Sequence, residues 1–167
     1  MNGIEQLCPN CGLCCNGVLF ADVELRPGDD ARRLGESGLK LASKGRRQAF
    51  AQPCDCFDGK LCGIYSGRPL RCRTFECGLL QRVQSGELAP DRALKSIAQT
   101  RRQAEIVRGL LRQLGQNDER LPMTKRYAAV MSAPIDLSDC EINSERRGEL
   151  MLAVDELMHQ LQREFLK

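Results

Sequence analysis

Cys8-Pro-Asn-Cys11-Gly-Leu-Cys14-Cys15 decides how this chain is read. Four thiols stand at C-x2-C-x2-C-C spacing, and Cys56, Cys62, Cys72 and Cys77 follow downstream. A thiolate is a soft, charged ligand, and three or four drawn together by short spacings hold zinc or an iron–sulfur cluster. The C-x2-C-x2-C triple is how bacterial ferredoxin-type sites hold three irons of one cube, whereas zinc more often uses two separated C-x2-C pairs. The later spacings, Cys56-x5-Cys62-x9-Cys72-x4-Cys77, favour neither metal. Adjacent side chains rarely face one ion, so Cys14 and Cys15 belong to two centres, bridge two metals, or include one spare thiol. The eight thiolates therefore fit two four-cysteine sites, a cluster plus a zinc, or one cluster with spare thiols. All eight are expected metal ligands. Cys54, two residues before Cys56, is a candidate accessory ligand.

Nine of the ten cysteines lie in the first 77 of 167 residues. That half is poor in large apolar residues and needs a staple, which disulfides or metal can supply. The N-terminus, Met1-Asn-Gly-Ile-Glu-Gln-Leu-Cys8, has no basic start and no apolar run, so no export signal is expected. No stretch approaches the ~20 apolar residues of a membrane span. A cytoplasmic location follows, where thiols stay reduced, and metal is the expected staple. Arg68, Arg71 and Arg73 around Cys72, with Lys60 beside Cys62, are candidate partners for thiolate charge, Arg73 foremost. Gly12, Gly59, Gly63 and Gly78 can bring backbone N–H groups close to sulfur.

Outward from the cysteines, residues 1–16 read as a loop, and 18–25 as a short strand broken by Pro27-Gly28. Asp29 or Asp30 caps a short helix ending near Gly38. Residues 48–52 can pair with the first strand, and 54–77 is irregular, with glycine and proline turns. Pro90 opens a helix running to about Leu114, with Leu94, Ile97, Ala98, Ala104, Val107, Leu111 and Leu114 on one face and Gly115 as its stop. Residues 117–137 form a connection with a short element near 126–131. Ser138-Asp-Cys-Glu141 has capping-box spacing before a last helix, about 144–166, carrying Leu150, Val154, Leu157, Leu161 and Phe165 on one face. The expected fold is α+β, mostly α. An irregular, metal-stapled cysteine-rich region with short strands, residues 1–85, packs against a helical region, 86–167, as one compact unit.

Other chemistry is thin. His159, the only histidine, reads as a surface residue. Cys140 reads as a small buried side chain. Tyr65 and Phe75 are expected to pack beside the metal and exclude water. Phosphate loops, dinucleotide fingerprints and the C-x3-C-x2-C spacing of radical S-adenosylmethionine enzymes are absent from the sequence. Net charge is only +3, yet residues 82–126 hold ten Lys/Arg against five Asp/Glu, with Arg101, Arg102, Arg108 and Arg112 clustered. A solvated helix face accounts for these more readily than a nucleic-acid surface.

The chain resembles a bacterial cysteine-cluster family named for its C-x2-C-x2-C-C motif, described as a zinc- or iron-chelating domain and found also in flagellin lysine N-methylase. The resemblance runs from Cys8–Cys15 through Pro53-Cys-Asp-Cys-Phe57 and Cys62-Gly-Ile-Tyr65 to Arg68-Pro69 and Cys72-Arg-Thr-Phe-Glu-Cys77, about the first 80 residues. It implies metal chelation. It does not extend to methylase activity, since residues 86–167 show no substrate or S-adenosylmethionine site. Cys54 and Cys140 lie outside the shared pattern.

The leading reading is a small cytosolic metal-binding protein holding an iron–sulfur cluster, ahead of zinc, whose helical half contacts a protein partner. The alternatives are a redox or methyl-transfer enzyme, or a subunit of one, and a zinc-stapled nucleic-acid-binding module. The sequence does not decide whether the chain is an enzyme.

Overall fold

The computed structural model describes residues 7–135, 138 and 140–166. It is mostly helical, with one small antiparallel sheet. The cysteine motif starts inside a single helical turn, α1 (Leu7–Cys11), where a loop was expected. Gly12 ends that turn at φ +67°, and a Cβ there would come within 2.7 Å of the Phe57 ring. Only glycine lets the loop lie this close to Phe57.

The first strand is shorter than the 18–25 expectation: β1 (Asp22–Glu24) pairs with β3 (Arg47–Ala51). On its other edge β3 pairs with β2 (Leu41–Lys44), giving the order β1-β3-β2. Gly45, at φ +63°, occupies the first position of the two-residue β2–β3 loop, as such tight hairpins require. Val23 and Leu41 both stand opposite Phe50. With Leu25, Leu34 and Leu39 these residues form a small core against which Cys54, Cys56 and Cys72 pack. On the other side of the sheet Lys44 pairs with Asp22 at 2.8 Å and Arg47 with Glu24 at 3.1 Å.

Helix α2 (Ala31–Glu36) is capped as expected, by Asp30 accepting from the Arg33 N–H at 3.0 Å. The neighbouring Asp29 does something the sequence did not suggest. One of its carboxylate oxygens accepts from Arg26 N–H and the other from Leu70 N–H at 2.7 Å. Leu70 opens α3 (Leu70–Thr74), a helical turn inside the region expected to be irregular, and this turn presents Cys72. A second unexpected helix, α4 (Gly78–Gln84), starts directly after Cys77.

Helix α5 (Pro90–Gln113) begins at the expected proline and ends before Gly115, which has φ +83°. Its buried stripe is Ala93, Ile97, Thr100, Ala104, Val107 and Leu111. Ala98 is exposed rather than on that face, because the 3–4 spacing of the stripe leaves it a full residue off; Leu94 and Leu114 are half-buried. The element expected near 126–131 is the longer α6 (Met123–Ser132). Helix α7 (Cys140–Glu164) starts earlier than expected and packs along α5. Leu150, Leu157, Leu161 and Phe165 are buried there, and Val154 is half-buried. Asp139 of the expected capping box and the Cys140 side chain lie outside the described residues.

Leu7 and Leu13, from the cysteine loop, are buried in this helical core at 2 % and 0 % exposure. The cysteine loop and the long helices therefore share one apolar core.

Candidate metal centre

The cysteines are positioned by elements that pin their backbones. Within the first loop, Cys8 O accepts from Gly12 N–H at 3.3 Å and Gly12 O accepts from Cys15 N–H at 3.0 Å, a turn that folds the loop back on itself. Cys54 N–H donates to Cys15 O at 2.8 Å, which holds the second cysteine segment against the first. An isolated bridge between Phe57 and Cys62 and the bond from Gly63 N–H to Cys56 O at 2.7 Å close the segment that carries Cys62. Asp29 fixes Cys72 through α3, and Gly78 N–H donates to Phe165 O at 3.0 Å, tying the turn at Cys77 to the end of α7.

These supports surround a cavity of about 450 Å³ lined by Cys8, Cys11, Cys14, Cys15, Cys54, Cys62, Cys72 and Cys77. Seven of the eight cysteines singled out from the sequence are therefore brought together, and the eighth place is taken by Cys54. Cys56 is not part of the lining. Its thiol points to Ser37 O at 3.6 Å, beside Gly38. Residues 54–57 form a turn, with Phe57 N–H donating to Cys54 O at 3.0 Å, that sends one thiol of the C-x-C pair into the cavity and the other away from it. No sequence signal distinguishes which.

The sulfurs act on one another in two sets. Burial pushes the Cys11 thiol up to about 12, opposed by the Leu13 N–H, with Cys77 and Cys8 adding to the rise. Burial also holds Cys14 well above its usual range, with Cys11, Cys15, Cys77 and Cys8 as charged neighbours. Cys8 is raised by burial and then by Cys77, and Cys77 chiefly by burial. In the second set burial raises Cys54 to about 12, with Cys56, Cys15 and Cys62 adding. Burial likewise raises Cys15 and Cys72 to about 11, Cys15 facing Cys62 and Cys72 and Cys72 facing Cys54 and Cys62. Cys14 and Cys15 link the two sets, Cys15 acting on Cys14 and Cys8 on Cys15. Buried thiols crowded in this way become thiolates only beside positive charge, which a metal supplies.

The protein contributes part of that charge. Arg68 lowers Cys8, Cys15 and Cys72, and Arg101 lowers Cys11. Arg68 is held by its Nε donating to Tyr65 O at 2.9 Å, with its guanidinium 3.7 Å over the Tyr65 ring. Arg73, the expected foremost partner, is exposed, because the short α3 turns it outward; Arg71 and Lys60 line the cavity. N–H groups reach sulfur from Leu13, Cys56, Leu79 and Leu80. The glycines were expected in that role. Instead they make the turns, and the following residues donate.

Phe20 and Phe75 meet edge to face at 5.0 Å and line the cavity with Phe50, Ile97 and Phe165. Tyr65 also lines it but is 54 % exposed, so it braces Arg68 more than it shuts out water. Gln52, 1 % exposed, lines the cavity too, and its Oε1 has no hydrogen-bond partner among the described residues. Among the described residues no three ligand-type side chains close on one point as they would around a single ion. His159 is exposed and pairs with Asp155 at 3.4 Å, far from this chemistry in the chain.

Three arginines of the α5 cluster make bonds within the molecule. Arg101 Nη1 donates to Asn10 O at 2.8 Å and Arg108 Nη2 to Asn16 O at 3.2 Å, gripping both ends of the cysteine loop. Arg112 pairs with Glu119 at 2.7 Å, and Arg102 is exposed.

Comparison with known proteins agrees with the site. The CxxCxxCC family model, described as "Putative zinc- or iron-chelating domain", matches residues 7–103, more than half of the chain. No curated protein and no solved structure matches it.

Proposed function

The chain belongs to the CxxCxxCC family of metal-chelating domains, and on that premise we propose that it is a small cytoplasmic metal protein whose cavity cysteines hold an iron–sulfur cluster. The observation that supports this reading is the convergence of eight cysteines from four separate segments on one cavity. Cys8, Cys11, Cys14 and Cys77 form the ferredoxin-like set, with the C-x2-C-x2-C spacing. Cys15, Cys54, Cys62 and Cys72 form a second thiolate set for a further metal, and Cys56, beside Cys54 and Cys62 but absent from the cavity lining, is assigned to neither. The donor chemistry fits: soft sulfur ligands, N–H groups aimed at them, Arg68 between the sets and apolar walls around them. A cluster several atoms across also suits sulfurs spread around a cavity better than a single small ion does. When bound, such a cluster supplies one-electron transfer.

None of the nine described cysteines is in a disulfide, which suits a reducing compartment. Among the described residues no helix is long and apolar enough to cross a membrane. The internal pairing of the α5 arginines weighs against the nucleic-acid alternative. The cysteine-rich and helical regions act as one unit, since Leu13, Arg101 and Arg108 tie them together.

Protein purified without oxygen is expected to contain iron and acid-labile sulfide with a broad visible absorption that bleaches on reduction. Colourless protein with stoichiometric zinc would replace the cluster by zinc. Freely titratable thiols with neither metal would end the metal-protein reading.

A further inference from the structure

A second cavity, about 470 Å³, lies on the far side of Phe57, which lines both. Its lining includes four arginines: Arg101, Arg108 and Arg112 from one face of α5, and Arg126 from α6. Against them stand Asp58, Glu105 and Glu119. Asp58 is already occupied, its Oδ1 accepting from Lys60 N–H and Leu61 N–H at 2.8 and 2.7 Å. Glu105 pairs with Arg108, and Glu119 with Arg112. The pocket therefore keeps a surplus of positive charge.

Arg126 is the unusual member. It is only 2 % exposed, its Nη2 donates to Gln116 O at 3.0 Å, and its Nε has no partner among the described residues. A buried guanidinium with an unused donor and no carboxylate bonded to it is costly. Burial and the neighbouring Arg108 and Arg112 disfavour its charge, with only Glu119 and Asp118 opposing them. Planar guanidinium forks converging from two helices match an anion with several acceptor oxygens and more than one negative charge.

We propose that this pocket is a binding site for a phosphate group, free or carried on a small molecule. Two of its arginines also hold the cysteine loop through Asn10 O and Asn16 O, so an occupied pocket would stiffen the loop that presents Cys8, Cys11, Cys14 and Cys15. The site stands on the arginine geometry alone and survives whichever metal the thiols hold.

The test is calorimetric titration of the metal-loaded full chain with inorganic phosphate at low salt. Saturable one-to-one binding is expected. Arg112→Gln, at a half-exposed side chain unimportant for packing, should weaken it about tenfold or more, as should Arg126→Lys, which keeps the charge and loses the fork. Arg102→Gln, on the same helix outside the pocket, should leave it unchanged. Absence of saturable binding in the millimolar range overturns the proposal, as does equal weakening by Arg102→Gln and Arg112→Gln. Acetate binding as tightly as phosphate overturns the ligand class. A short oligonucleotide binding more tightly than phosphate overturns the small-molecule assignment in favour of a nucleic acid.

Discussion

Cys11→Ser and Cys72→Ser are each expected to lose metal and unfold the cysteine-rich half. The two residues belong to different thiolate sets, and each is half-buried with sulfur neighbours, Cys77 and Cys8 for Cys11 and Cys54 and Cys62 for Cys72. In small thiolate sites the free energy of metal binding is folding free energy, of order 10 kcal/mol for structural zinc, and a serine hydroxyl is a far poorer soft ligand. Beyond its ties to the helices, this half has little of its own to hold it. Its own core is the small cluster around Val23, Leu34 and Phe50, and its sheet has three short strands. Cys56→Ser, at a thiol outside the cavity, should keep both metal and fold. Elemental analysis and a circular-dichroism melt on the three variants decide it. Wild-type metal content in Cys11→Ser would remove that residue from the ligand set.

Leu13→Ala should show the second largest effect. Leu13 is fully buried in the helical core and also lines the cavity beside its neighbours Cys11 and Cys14. Removing three buried carbons from such a site costs ~2–5 kcal/mol. The same change frees the cysteine loop from the helices, so metal should also leave faster to a chelator. Melting temperature and metal release should move together. A lowered melting temperature with unchanged release would show that the two regions are independent modules.

Much of this was legible in the chain because the strongest signals are local. The Asp30 cap, Pro90 and Gly115 bracket their helices through backbone chemistry that a few residues decide. The long helices announce themselves by period, although Thr100 on the buried stripe and exposed Ala98 show that period alone misplaces single residues. The short helices α3 and α4 were not legible. Their formation depends on partners remote in sequence: Asp29 at the start of α3, and Phe165 beside the start of α4. Cysteine count and spacing pointed to the site, but which of Cys54 and Cys56 lines the cavity depends on how residues 54–57 turn beside Cys15. The arginine cluster read as a solvated face since nothing in its sequence shows that Asn10 and Asn16 come to meet it.

The central claim is that Cys8, Cys11, Cys14, Cys15, Cys54, Cys62, Cys72 and Cys77 hold metal and Cys56 does not. Differential alkylation of the native, metal-loaded chain, read residue by residue by mass spectrometry before and after chelation, tests it most directly. Cys56 should be labelled promptly in the loaded protein, with the eight cavity cysteines protected until the metal is removed. Labelling of Cys54 as fast as Cys56, or of the cavity cysteines equally with and without chelation, would contradict the account.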